Sequence, residues 1–324
     1  MQNVICFAIG NKNYVNPMRI SIGSFCSYNN SKLIVYLTDN SSDYFNSEFH
    51  YNNVEFIDIG ETQSKKYFEE NSSKFATPFY VFSKEHLFDV FVANELLDRT
   101  ISKYRKETKA ILRLDLDVVF LSSIENSVNK FLESDCKVGS SLENSSMRPA
   151  WCNAEIPDSA TIFDNYMNMG NFILRMSKDV ITNHFQRTLQ IFDSYGLNHL
   201  YYPDQDAINL IYRNYTKYNM NRDGWLISMA DIGDYLEVKQ PVFIHYAGLD
   251  KPFASKNRDN VSPCFKNTYN WYKQQAIKYK CDDIFIKTID KRILDTYNKF
   301  AFTSNGSVYY CASMYRLLKR WGLT

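Results

Sequence analysis

Ala110-Ile111-Leu112-Arg113-Leu114-Asp115-Leu116-Asp117-Val118-Val119-Phe120 sets two carboxylates, one residue apart, at the end of an apolar run with the composition of a buried strand. Alternation along a strand turns every second side chain to one face, so Asp115 and Asp117 are expected side by side. Two neighbouring carboxylates in apolar surroundings repel each other and are costly to strip of water. A shared proton, a basic neighbour or a divalent cation would relieve them, and the cation is the simplest of the three. A D-x-D also arises by chance in an Asp-rich chain, Asp204-Gln205-Asp206 being a second instance, so the motif draws its meaning from its company.

Upstream, Val4 to Ile9 is expected as a first strand, Pro17 to Tyr28 as a helix with Ile20, Ile22, Phe25 and Cys26 facing inward, and Leu33 to Thr38 and Val54 to Ile59 as further strands. Strand, helix and strand at this spacing predict βαβ units around a mostly parallel sheet, an α/β fold whose ligands sit beyond the carboxyl ends of strands. The loop Ala8-Ile9-Gly10-Asn11-Lys12-Asn13-Tyr14 falls at such an end, and it carries neither a dinucleotide fingerprint nor a P-loop. A long helix over Ser83 to Tyr104, with Leu87, Phe88, Phe91, Val92, Leu96 and Leu97 on an apolar stripe, leads into the strand that ends at Asp115.

Downstream, Cys136 to Ser141 predicts a short strand and Leu142 to Tyr166 an irregular binding loop or lid. A strand from Tyr166 to Met176 contains Asn168 and Gly170, a helix is expected from Ser177 to Tyr195, and another opens at Pro203 with Asp204 as its cap. Val242 to Phe253, which contains His245, predicts a strand, then a tight turn at Gly248, then a stop at Lys251-Pro252. Helical patterns near Thr268 to Lys280 and from Val308 onward complete the chain.

The 324 residues suffice for one large α/β domain with an extension. Thirty-seven Lys and Arg balance 36 Asp and Glu, so no global field favours nucleic acid. Seven irregularly spaced cysteines without a CxxC pair argue for reduced thiols and a cytoplasmic setting. The N-terminus lacks a basic n-region, and no apolar run is long enough to span a membrane.

The order D-x-D at Asp115 and Asp117, Asn168 with Gly170, Asp204-Gln205, and His245 with Gly248 and Lys251 resembles the family 8 glycosyltransferases over roughly Val4 to Phe253. The resemblance implies a GT-A fold over residues 1–255 and a mainly helical extension over 256–324. It implies a UDP-hexose donor, galactose or glucose, transferred with retention to a surface glycan, an oligosaccharide or lipid-linked acceptor. Carried over by position, Asp115, Asp117 and His245 would hold Mn²⁺ or Mg²⁺. Lys251 and Gly248 would meet the diphosphate, and Ala8, Asn11 and Tyr14 the uracil. Leu116 would join the donor site, Asn168 and Gly170 would floor the sugar pocket, Asp204 would bind sugar hydroxyls, and Gln205 would lie near the anomeric carbon. The family's helical Arg has no counterpart between Phe82 and Asp98, where Lys84 and His86 are the available substitutes.

Each residue also has a purely structural reading: His245 as a strand-end histidine, Lys251 paired with Asp250, Asp204 as a cap, Asn168 in a turn, Tyr14 as one tyrosine among 24. Two other functions compete. Asp115 would serve as phosphoryl nucleophile in a haloacid-dehalogenase-like phosphohydrolase, with Cys281-Asp282-Asp283 as its distal acidic pair. A sugar-nucleotide binding protein would keep the site without turnover. Toward the C-terminus, Tyr310, Met314, Leu317, Leu318 and Trp321 recur at helical spacing beside Arg316, Lys319 and Arg320, a pattern that fits an anionic membrane surface and a peripheral place at the inner face. A terminal helix packed on the domain fits it equally.

Overall fold

The structure, a computed structural model, describes residues 2–71, 84–143, 165–195, 203–227, 241–246 and 274–281. Strands run over Gln2–Gly10 (β1), Lys32–Leu37 (β2), Val54–Asp58 (β3), Thr108–Leu114 (β4), Val118–Phe120 (β5), Val138–Glu143 (β6), Tyr166–Arg175 (β7), Lys217–Asn219 (β8), Trp225–Ile227 (β9) and Phe243–His245 (β10). Helices run over Val15–Tyr28 (α1), Ser42–Glu48 (α2), Gln63–Asn71 (α3), Lys84–Tyr104 (α4), Glu125–Glu133 (α5), His184–Tyr195 (α6) and Pro203–Ile211 (α7). These residues pack as two compact units, one drawn from Met1–Asn13, Asn30–Asp115 and Glu125–Met220, the other from Tyr14–Asn29, Leu116–Ile124 and Asn221 onward.

The first unit is built on a seven-stranded sheet in the order β3-β2-β1-β4-β7-β6-β8. β3, β2, β1 and β4 run parallel, β7 runs antiparallel to both of its neighbours, and β8 is parallel to β6. The expected mostly parallel sheet flanked by helices is therefore present. From β1 the chain turns outward to β2 on one side and later returns to β4 on the other, so their carboxyl ends flank a switch point, where α/β sheets bind ligands. β1 and β2 are near-continuous apolar runs because both faces are covered. Ile5, Phe7, Tyr36, Val92, Leu96, Ile111 and Phe172 meet in the core, each large side chain stabilising the fold by about 1.5–3 kcal/mol.

The second unit carries a three-stranded sheet, β5-β10-β9. Its core stacks Phe25 of α1 edge-on to Phe120 at 5.2 Å, and Phe120 to Phe243 at 5.5 Å. Ser24 Oγ accepts the Phe120 N–H at 3.0 Å, and Asn29 Oδ1 accepts the Ile124 N–H at 2.9 Å. A short helix over 274–278 leads to Tyr279, whose ring fills the space over Gly23: a Cβ there would stand 2.5 Å from it.

Several expectations need correction. The strand expected to end at Asp115 ends at Leu114, but Asp115 and Asp117 do not share a pleat: the chain turns through Asp115 to Asp117 and resumes as β5 in another sheet. The helix expected from Ser177 begins at His184, because Asn183 is left-handed (φ 61°) and Val180-Ile181-Thr182 is a β-branched run. Pro203 opens α7 and Asp204 is its second residue, inside the first turn rather than the expected cap. Cys26 is only partly buried, whereas Ile20, Ile22 and Phe25 are fully so. Val92, Leu96 and Leu97 line the inner face of α4 as expected, whereas the side chains of Leu87, Phe88 and Phe91 lie outside the described residues, as do the boundary at residue 255, the C-terminal tail, and residues 144–164 of the segment expected to be irregular from Leu142 to Tyr166, whose ends Leu142, Glu143 and Tyr166 belong to β6 and β7.

Candidate functional site

Asp115 is the first residue beyond β4, its N–H donating to the Gly170 carbonyl at 2.7 Å. Asp117 follows in the turn, and its carbonyl accepts the Tyr246 N–H at 3.0 Å, which fixes the end of β10 beside it. His245 Nε2 thereby stands 3.1 Å from Asp117 Oδ1. One ligand atom each from Asp115, Asp117 and His245 lies within 4.8 Å of the others. Leu116, between the carboxylates, is buried. The turn, rather than the pleat of a strand, brings the carboxylates together.

These residues fit a divalent cation. Asp117 and His245 are almost wholly buried, at 4% and 2% side-chain exposure, and Asp115 is at 37%. Adjacent ligands of an octahedral ion at 2.0–2.2 Å are ~3 Å apart, close to the observed 3.1 Å. Two carboxylates and one imidazole supply the negative charge and the donor atoms that a divalent cation takes.

In the first unit, α7 is tied to β7 by side chains that imitate a neighbouring strand. Asn209 accepts the Met167 N–H at 2.8 Å and donates to the Met167 carbonyl at 3.0 Å. One turn earlier Gln205 Oε1 accepts the Met169 N–H at 2.9 Å, and Tyr166 donates its hydroxyl to Asp206. β4 pairs with β7 only over Asn171 to Arg175 and β6 shifts register between Ser140 and Leu142, and beside this irregular end of β7 the side chains of α7 bind the backbone of Met167 and Met169. The donor at Met169 also fixes which way the Gln205 amide points.

Asn168 Oδ1 accepts the Gly170 N–H at 2.9 Å, a local turn within β7, and its carbonyl accepts the Ser140 hydroxyl at 2.7 Å. Asp204, Gln205 and Asn168 are all buried. Burial pushes the Asp204 carboxyl up to about 6, against the pull of the Arg113 guanidinium. Arg113 reaches Asp204 Oδ2 at 3.6 Å and Asp115 Oδ1 at 3.6 Å, and so joins the acidic groups of β4 and α7.

Ala8 is fully buried within β1, and Asn11, in the loop that follows, accepts the Asn13 N–H at 3.0 Å. Tyr14 ends the 3₁₀ turn Lys12–Tyr14 and is partly buried. Lys12 N–H donates to Asp39 Oδ2 at 2.8 Å, so Asp39, after β2, organises this loop. Gly248 and Lys251 lie outside the described residues, as do the side chains of Lys84 and His86. Sequence reasoning missed Asp39 and Arg113; the signal for Arg113 was a charge inside an apolar run.

No family model and no curated protein matches the chain. Among solved structures it is similar to the galactosyltransferase LgtC in complex with donor and acceptor sugar analogs (TM-score 0.58, 17% identity, 89% of this chain and 98% of that one). It is similar to the WbbM bifunctional glycosyltransferase (TM-score 0.54, 15% identity, 85% of this chain and 50% of that one). It is also similar to mouse xyloside xylosyltransferase 1 (TM-score 0.50, 15% identity, 78% of this chain and all of that one). With β3-β2-β1-β4 parallel, β7 reversed and an acidic turn after β4, the chain has the GT-A fold.

Proposed function

We propose that this chain is a metal-dependent, retaining glycosyltransferase that moves a hexose, galactose or glucose, from UDP to a surface-glycan acceptor such as lipopolysaccharide, lipooligosaccharide or capsule. The observation that carries the reading is the gathering of ligand atoms from Asp115, Asp117 and His245 within 4.8 Å, in a fold shared with a galactosyltransferase. Bound by these three residues, Mn²⁺ or Mg²⁺ would supply charge neutralisation at the diphosphate leaving group.

The chain's own residues do the rest. Lys251 adds a positive charge at the diphosphate and Gly248 admits close backbone approach. Ala8, Asn11 and Tyr14 receive the uracil, Tyr14 by stacking, and Leu116 belongs to the donor site between the two carboxylates. Asn168 and Gly170 floor the sugar pocket, and Asp204 accepts hydrogen bonds from sugar hydroxyls. Gln205 lies at the anomeric centre as a positioning group: its carbonyl oxygen already accepts the Met169 N–H, which weakens it as a nucleophile. That supports front-face transfer, in which the departing UDP oxygen takes the acceptor hydroxyl's proton. The phosphohydrolase alternative needs its nucleophile after a first strand, whereas Asp115 follows the fourth.

Residues 1–255 form the catalytic domain in this reading, and 256–324 a helical extension whose basic tail meets an anionic membrane surface at the cytoplasmic face. No helix among the described residues is long and apolar enough to cross a membrane. The test is UDP release from UDP-galactose, UDP-glucose, UDP-N-acetylglucosamine and UDP-N-acetylgalactosamine, with Mn²⁺ and with chelator. One of the two hexoses should be turned over with metal alone; no release from any donor, even at high enzyme, would leave a binding protein.

A further inference from the structure

Arg113 sits on β4 where an apolar side chain belongs. Its register partners are Phe7 on β1 and Phe172 on β7, both in the core, and its side chain is only 7% exposed. A buried guanidinium is stable only when its N–H groups are paired, because each unpaired one keeps its full desolvation penalty. The same unit shows how a structural arginine is satisfied: Arg175 donates to the carbonyls of Cys136, Leu132, Phe131 and Ser134. Arg113 differs. Its two carboxylate partners stand at 3.6 Å, beyond hydrogen-bond length, and its Nη1 has no hydrogen-bond partner among the described residues.

The two ends of the guanidinium face different chemistry. Nη2 is nearest Asp115, a candidate cation ligand, and Nη1 is nearest Asp204, in the first turn of α7 next to Gln205. A group that accepts from an arginine N–H while donating to a carboxylate is a hydroxyl. We propose that Arg113 is a donor-specificity residue whose Nη1, together with Asp204, binds a hydroxyl of the sugar carried on the nucleoside diphosphate. This rests on the glycosyl-transfer reading, which puts the diphosphate at the cation and hence the sugar on the Asp204 side. It also gives the buried charge a reason to be left incompletely paired: the donor completes the pairing, so binding of the right sugar is rewarded and a misplaced hydroxyl leaves Nη1 unsatisfied.

The experiment compares Arg113→Lys with the wild type, since lysine keeps the charge against both carboxylates and loses the planar fork. Mn²⁺-dependent affinity for UDP, which has no sugar, should stay within about twofold, while kcat/KM for the preferred UDP-hexose should fall at least about thirtyfold. The preference between UDP-glucose and UDP-galactose, which differ at one hydroxyl, should shrink about tenfold or more. An unchanged preference, or loss of UDP affinity in step with kcat/KM, would show that Arg113 only balances charge. Should the variant not fold, a structure of the wild type with a non-hydrolysable donor decides: Nη1 must lie within hydrogen-bond distance of a sugar oxygen, and a longer separation overturns the proposal. Absence of turnover by the wild type on every UDP-sugar would bring down the glycosyl-transfer reading itself, whereas turnover with an unaltered preference in Arg113→Lys would remove only this inference.

Discussion

His245 Nε2 lies 3.1 Å from Asp117 Oδ1, with both side chains almost completely buried, although the two residues come from distant parts of the chain. The contact follows from backbone pairing: β10 runs antiparallel to β5, His245 opposite Val118, and the Tyr246 N–H closes on the Asp117 carbonyl. The imidazole is thus placed by a sheet, and its position is as rigid as that sheet. Replacing a strand residue of this pairing would move the imidazole, whereas loop changes elsewhere would not.

Gln205 has two jobs, and they separate by measurement. Gln205→Ala leaves the buried Met169 N–H without its acceptor, so the variant should lose about 1–3 kcal/mol of stability. Its kcat should fall about a hundredfold with a donor KM within about threefold. A change in KM alone would remove Gln205 from the anomeric centre.

Asn209 holds α7 to β7 through both the N–H and the carbonyl of Met167, and it also accepts from Lys217 Nζ at 3.4 Å. Asn209→Leu is similar in size and strands both backbone groups, so unfolding free energy should drop by about 2–4 kcal/mol in urea titration. Because Asp204 and Gln205 ride on the same helix, kcat should fall as well. Wild-type stability in this variant would mean that the Asn209 pairing contributes nothing to the placement of α7.

The Asp204 carboxyl, raised by burial to about 6 from an ordinary 3.8, makes a stability prediction with a defined sign. The folded chain holds this proton more tightly than the unfolded one, so stability falls as pH rises from about 4 to about 6. The full loss, about 3 kcal/mol for a shift of this size, is present at pH 7. Asp204→Asn removes the titration. In chelator, the wild type should lose more melting temperature than the variant between pH 4 and pH 7. Parallel curves would place the carboxyl in water.

Much of the fold was legible because a parallel sheet covered on both faces is written as unbroken apolar strands: Val4 to Ile9 and Leu33 to Thr38 differ from β1 and β2 by a residue or two. The end of the D-x-D strand was legible to within a residue, Asp115 against Leu114, whereas the turn and the second sheet beyond it were not, since Leu116, Val118 and Val119 stay buried throughout. Composition cannot tell an apolar strand from two joined by an apolar turn. In the site, Asp115 and Asp117 stood out by spacing alone, whereas the approach of His245 depends on β5–β10 pairing, which no local pattern encodes. Arg113 was overlooked because its meaning lies in what it fails to bond. The left-handed Asn183 that delays α6 likewise leaves no mark in hydrophobic periodicity.

In the proposed reading Asp115, Asp117 and His245 together hold one divalent ion, and calorimetric titration of Mn²⁺ into the protein with UDP present decides whether they do. The wild type should bind one Mn²⁺ per chain, and Asp117→Asn and His245→Ala should each weaken that binding at least about a hundredfold while leaving the protein folded. Equal Mn²⁺ affinity in the wild type and both variants would mean that these side chains hold no ion.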